Sequence, residues 1–165
     1  YKTDLFRLLM LHRYGGVWLD YSTTLLVPIE CHRCAHVLVK DRVAVDVGTC
    51  VFSSLIGSAR PRSKFIWAAI ARLLNNCRRR YHGVNPLDIT GPCMLARAAV
   101  DAPPRNVVWL QHRASGGYID YPNGGGAVAL NKQPGHDEMK VNGRMPFRAY
   151  DAAWMRGNVY SDQTQ

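Results

Sequence analysis

Apolar and charged positions at the start of the chain predict an amphipathic helix running to Tyr14, where Gly15 and Gly16 break it. Two glycines allow a helix to end with positive φ and the backbone to turn sharply. A short apolar strand follows and stops on one acidic residue, Asp20. That layout brings a lone carboxylate to the end of a buried strand, where open α/β sheets place their ligands. Beyond it, residues 24–28 read as an edge segment, and 36–40 and 43–47 as two short strands, the second alternating. Residues 49–56 read as a further strand, apolar at 50, 51, 52, 55 and 56. A small-residue loop from Gly57 ends on Ser63, a suitable N-cap for a helix from about Lys64 to Tyr81. Ile66, Ile70, Leu73, Leu74 and Cys77 form the apolar stripe of that helix. After a loop at 82–86, Thr90 as N-cap and Pro92 as an early helical residue predict a short helix to about Val100. Residues 107–110 read as a strand, and the glycines around 116 and 124 as flexible breaks.

The opening unit also carries chemistry. Asp4 and Arg7 are three apart and share one helix face. An Asp can accept hydrogen bonds from ribose hydroxyls, and an Arg offers a planar fork to a base carbonyl, phosphate or carboxylate. Trp18 supplies an aromatic surface for a base or sugar face, and Asp20 supplies the anionic oxygen that hard cations prefer. A helix–glycine–strand unit alone is ordinary in α/β proteins, and an Asp at a strand end is often a turn or cap residue. The combination is what distinguishes this segment.

Thr3, Asp4, Arg7, Tyr14, Gly15, Gly16, Trp18 and Asp20 together resemble the sugar-nucleotide-binding segment of the D-x-D glycosyltransferases. That family includes α-1,6-mannosyltransferase-like and capsular-polysaccharide synthesis enzymes and is related to the glucosyltransferase domains of large clostridial toxins. The resemblance implies one catalytic domain over 1–165 with an α/β fold, GT-A-like and of Rossmann type. It implies a cofactor, Mn²⁺ or Mg²⁺. The implied reaction moves a hexose from a UDP- or GDP-hexose donor to a glycan or other hydroxyl acceptor, with retention at the anomeric carbon. Donor contacts would come from Asp4, Arg7, Tyr14, Gly15, Gly16, Trp18 and Asp20. The first βαβ units of such a fold precede this segment, so the chain is expected to lack its N-terminal part. Any membrane association is expected through those upstream residues. The compartment stays open between the Golgi lumen and a microbial or virus-infected cytoplasm.

One departure matters. The family's second Asp is replaced by Ser22, and a hydroxyl is a weaker metal ligand than a carboxylate. Similar enzymes bring their C-terminal portion back to the cleft with a further ligand, so His136, Asp137 and Glu138 are the candidates to complete a metal site with Asp20 and Ser22. Arg144 and Arg148 are candidates to neutralise diphosphate. Thr90-Gly91-Pro92 resembles a second landmark of the family on the acceptor side of the cleft, and makes Asp88 a catalytic candidate beside Asp20. A relative that binds donor or glycan without turnover is the alternative.

Composition narrows the classes. Hydrophobic residues at 47% and charged residues at 20% describe a folded chain rather than a disordered one. The net charge of +9 suits either attraction to nucleic acid or an anionic membrane surface, or a basic cleft for a doubly charged pyrophosphate donor. No nucleic-acid-binding signature is present, and no nucleic-acid partner is expected. Arg78, Arg79 and Arg80 fall in the last turn of a predicted helix, where cations complement the dipole. Five cysteines, an odd number, argue against a fully paired framework. Cys31 and Cys34 read as a reduced loop, a disulfide or redox pair, or half a zinc site, and no second pair lies at a suitable zinc spacing.

Overall fold

Successive residues of the central strands face opposite ways, and both directions are apolar. That pattern requires a sheet covered on its two faces. The computed structural model describes residues 2–29, 34–113, 116–131 and 153–160. Helix α1 (Lys2–Tyr14) leads into strand β1 (Gly16–Leu19), and β2 (Thr23–Leu25) follows after three residues. Strands β3 (His36–Val45), β4 (Gly48–Val51) and β5 (Leu55–Ser58) come next, then helices α2 (Lys64–Arg78) and α3 (Pro92–Asp101). Strands β6 (Val107–His112), β7 (Tyr118–Asp120) and β8 (Ala127–Asn131) complete one eight-stranded sheet.

The strand order is β1-β5-β3-β6-β7-β8-β2, with β4 paired to β3 outside this path. Strands β1 and β2 stand at opposite ends of that order, yet only Asp20, Tyr21 and Ser22 separate them in sequence. The four residue steps from Leu19 to Thr23 span at most about 14 Å. The sheet must therefore curl until its two edges meet at the Asp20 turn, which a hydrogen bond from Thr23 N to Asp20 O closes at 2.8 Å. Val37, Val39, Leu55, Leu110, Ile119, Val128 and Ala129 fill the inner face. The outer face buries Leu38, Val51 and Ile56 under Leu8 and Leu11 of α1, five residues of α2 including Phe65 and Ile70, and Met94 and Leu95 of α3.

The α/β expectation holds at the level of class: a mixed sheet carries helices on one face. Among the described strands, β3 and β6 form the parallel pair, and the other pairings are antiparallel. Because β5 runs against both β1 and β3, strands β1, β3 and β6 point the same way. Their carboxyl ends form one rim of the sheet, with Asp20 on it.

Several boundaries differ from the sequence reading. The two strands expected at 36–40 and 43–47 are one strand, β3, with a register shift between Lys40 and Ala44 against β4. The strand expected at 49–56 is divided, because Phe52–Ser54 turns to meet the rim. Helix α2 stops at Arg78, with Arg80 at φ 50°, so it falls short of Tyr81. Ser63 caps it as expected, accepting from Ile66 N. The cap of α3 is Gly91 rather than Thr90, whose hydroxyl is used elsewhere. Pro92 is at the start of that helix, as expected. Strands β7 and β8, short and set between glycines, have no expected counterpart.

The cysteine reading also changes. Cys50 of β4 and Cys93 of α3, 43 residues apart and both fully buried, form a disulfide. Closing a loop of that length stabilises by about 4 kcal/mol in the chain-entropy view. Cys34 is disulfide-bonded as well, and Cys77 is free. Residues 31–33 lie outside the described residues.

Candidate functional site

Helix α1 lays one face on the sheet's outer side, which buries Arg7 beneath the rim. Arg7 Nη2 lies 3.3 Å from Asp4 Oδ1 and 3.4 Å from Asp20 Oδ1. Arg7 Nη1 donates to the Ser53 carbonyl. The guanidinium also lies over the Trp18 ring, 5.9 Å from its centroid, and Phe6 meets that ring edge-on. Trp18 Nε1 donates to Asp20 Oδ1 at 2.7 Å. Asp20 immediately follows β1, two residues beyond Trp18, and this bond holds the two side chains on one side of the chain. Asp20 N donates to Ser54 O at 2.9 Å, which fixes the backbone under the carboxylate.

Asp4 is held from a third direction. Thr90 Oγ1 donates to Asp4 Oδ2 at 2.7 Å, across 86 residues of sequence. Two carboxylates, one guanidinium, one indole and one hydroxyl thus occupy a single cluster. Buried Arg7 Nε has no hydrogen-bond partner among the described residues. A buried N–H without an acceptor is costly, so a ligand oxygen there would gain from it.

On the other side of the Asp20 turn, Ser22 Oγ donates to Asn131 Oδ1 at 2.9 Å and Thr23 Oγ1 donates to the same oxygen at 3.1 Å. Asn131 ends β8, immediately before residues 132–152, which lie outside the described residues. His136, Asp137, Glu138, Arg144 and Arg148 fall in that segment. Among the described residues no group of three or more His, Cys, Asp or Glu could hold a metal ion. The inner face of the same rim carries His112, whose buried Nδ1 lacks a hydrogen bond and lies 3.7 Å from Asp41 Oδ1.

Tyr14, Gly15 and Gly16 are not brought to this cluster. They stand at the amino end of β1, about 13 Å from its carboxyl end at strand rise. There Gly15, at φ 68°, is packed so closely that a Cβ would meet Arg60 C and Ser58 O at 3.0 Å. Tyr14 is largely exposed. A cavity of about 300 Å³ opens at the same far end, lined by Cys34, His36, Ser58, Arg60 and Asn106 among others.

Asp88 is buried in an ionic cluster of its own. It accepts from Arg97 Nε at 2.7 Å, from Tyr81 Oη at 2.8 Å and from Val84 N at 3.3 Å. Burial alone would push this carboxyl up, but the hydrogen bonds from Arg97, Tyr81 and Val84 outweigh it and hold it below the usual carboxylate range. Arg97 also grips Asp46 in the β3–β4 turn, and that carboxyl is lowered chiefly by the same guanidinium. This geometry gives Asp88 the surroundings of a structural anchor.

Asn131 and Ser53 have no counterpart among the sequence candidates. Neither belongs to a motif, and a carbonyl contact such as Ser53 to Arg7 leaves no mark in side-chain identity. No helix among the described residues is long and apolar enough to cross a membrane.

No protein-family model matches the chain, and no curated protein matches it. Among solved structures, the chain is similar to one described as PaToxG Glycosyltransferase, with a TM-score of 0.46 and 15% identity. The match covers 94% of this chain and 43% of that one, so the chain spans less than half of that neighbour's length.

Proposed function

We propose that the rim cluster is the nucleotide-sugar site of a glycosyltransferase that moves a hexose to a hydroxyl acceptor. One observation carries the reading. Asp4 of the opening segment and Thr90 of the Thr90-Gly91-Pro92 segment, two landmarks far apart in sequence, share a 2.7 Å hydrogen bond beside Asp20. A plain helix–strand unit and a plain capped helix have no reason to meet through those particular side chains.

Each residue then has a task. Asp4 accepts from ribose hydroxyls, and Thr90 and Arg7 hold its carboxylate in place. Arg7, with Nε still unpaired, offers a donor to the nucleotide. Trp18 orients Asp20 through its indole N–H. Asp20 and Ser22 supply oxygen donors only, and Asn131, by accepting the Ser22 proton, leaves the lone pairs of that hydroxyl oxygen available. That chemistry fits Mg²⁺ or Mn²⁺, which substrate phosphates and one or two carboxylates commonly share. Such an ion, when bound, would neutralise charge on the departing diphosphate. His136 or Glu138 would complete its ligand set. In the reaction the bond from the anomeric carbon to the donor phosphate oxygen breaks, and one to the acceptor oxygen forms. The acceptor proton leaves with the diphosphate or to solvent. Positioning supplies much of the rate in this scheme.

The test is donor binding measured calorimetrically for UDP, GDP and their hexoses, with and without Mn²⁺. A metal-dependent affinity that Asp20→Ala reduces at least tenfold is expected. Absence of binding by every donor would overturn the proposal. A second reading rests on Ser22, a neutral hydroxyl that would hold a metal more weakly than a carboxylate: the chain binds donor without turning it over. Donor binding without hydrolysis or transfer would identify that case.

A further inference from the structure

The end of the sheet opposite Asp20 gathers positive charge. Arg62 N donates to His12 O at 2.7 Å, which ties the loop before α2 to the last turn of α1. The backbone of Arg60 packs on Gly15. His36 links the remaining segment, with Nε2 2.8 Å from Ser63 Oγ and Nδ1 3.3 Å from Arg105 O. Arg13, Arg60, Arg62, Lys64 and Arg105 are thereby collected at one end of the molecule, all exposed. None of the ion pairs among the described residues involves any of them. The segments that bear them, residues 11–17, 57–69 and 102–107, contain no Asp or Glu.

Large aromatic side chains stand among these cations. Trp67 is 56% exposed although it sits on the first turns of α2, and its ring lies 5.2 Å from that of His12. Tyr14 is 61% exposed, with Arg13 over its ring at 5.3 Å. Exposed Trp and Tyr beside unpaired cations have the composition of a surface that rests at a lipid headgroup layer. Of the five cations, Arg60 also lines the small cavity beside His36.

We propose that this end docks the protein on an anionic membrane surface, with the Asp20 rim turned away from the bilayer. The five cations meet acidic headgroups, and Trp67 and Tyr14 enter the interface. The inference does not depend on sugar transfer, because it uses none of the rim residues.

The experiment is co-sedimentation of the whole chain with phosphatidylcholine vesicles, with and without phosphatidylserine. Binding that requires phosphatidylserine and is released by salt is expected. Each near-surface cation contributes about fivefold to partitioning, so loss of the three cations in the triple variant R60E/R62E/K64E should weaken binding at least about a hundredfold, with repulsion by the three new carboxylates adding to it. The control is R78E/R79E/R80E, which makes the same change in net charge at the far end of α2, about 22 Å away. It should bind more than tenfold tighter than the triple variant, and thermal unfolding should show both variants folded. Equal loss in the two variants would reduce the effect to net charge and overturn the proposal. So would failure of the wild type to bind acidic vesicles, or tighter binding to a single-stranded oligonucleotide that the triple variant also loses.

Discussion

A carboxylate with no exposed surface has to be neutralised by its neighbours. Asp88 meets that condition through Arg97, Tyr81 and a backbone N–H. Its folded-state pKa lies below the usual value of about 3.9, so the unfolded chain binds the proton more readily. The stabilisation is therefore fully present above about pH 5 and is lost as pH falls through the acid range. Asp88→Asn should cost about 1–3 kcal/mol at neutral pH, since Arg97 loses its buried charged partner and keeps only Asp46. The gap between wild type and variant in urea midpoint should narrow below about pH 4. Parallel pH profiles would show that Asp88 contributes nothing to the acid limb. At this scale Asp20 and Asp88 are the same residue type, and both end apolar or loop segments in the sequence. Their surroundings separate them: Asp20 is partly open beside Arg7 and Trp18, whereas every oxygen of Asp88 is committed. Those partners come from distant positions such as Arg97 and Tyr81, which no local pattern announces.

At the scale of elements, the joint between α1 and β1 shows what local sequence can convey. Gly15 and Gly16 both have positive φ, 68° and 90°, so both residues suit a helix end that turns into a strand. Their environments differ. A Cβ on Gly15 would press on the Arg60 and Ser58 backbone, while one on Gly16 would meet nothing within 4 Å. Gly16→Ala should then cost about 1–2 kcal/mol of backbone strain alone, and Gly15→Ala clearly more, as measured by chemical denaturation. Equal costs would mean that the 57–63 loop yields freely. The helix, the break and the strand are legible because their signals are periodicity and glycine, both local. Ser63 as a cap is legible for the same reason. The division of 49–56 into β4 and β5 is not, because it follows from tertiary contacts: Arg7 holds Ser53 O and Asp20 N holds Ser54 O. Nor is the disulfide, since the pairing of Cys50 with Cys93 depends on α3 lying over β4. Thr90 has the composition of an N-cap, but its hydroxyl bonds Asp4 and leaves the cap to Gly91.

The whole molecule follows from strands that serve two cores at once. Leu38 and Ile56 face the helices, while their neighbours Val39 and Leu55 face the interior of the curled sheet. Sequence patterning displays this as unbroken apolar runs, and it cannot say which strands pair or that β2 closes against β8. Closure depends on the register Thr23 to Asn131, set by short strands between glycines. It places Ser22 and Asn131 beside Asp20, so the candidate site is a product of topology as much as of motif. Because adjacent residues of β3 and β5 belong to different cores, neither core can open while the other keeps its strands. Val39→Ala on the inside and Ile56→Ala on the outside should each destabilise by about 1–4 kcal/mol. Each should do so without splitting the transition. Tryptophan fluorescence reports mainly on the outer core, through Trp18 and Trp109, and far-UV circular dichroism reports on the backbone throughout. The two signals should stay coincident in urea for both variants. Separate midpoints in Val39→Ala would show instead that the inner core can melt by itself. The rim, which spans both faces, would then lose Asn131 and Ser22 before it lost Asp4 and Arg7.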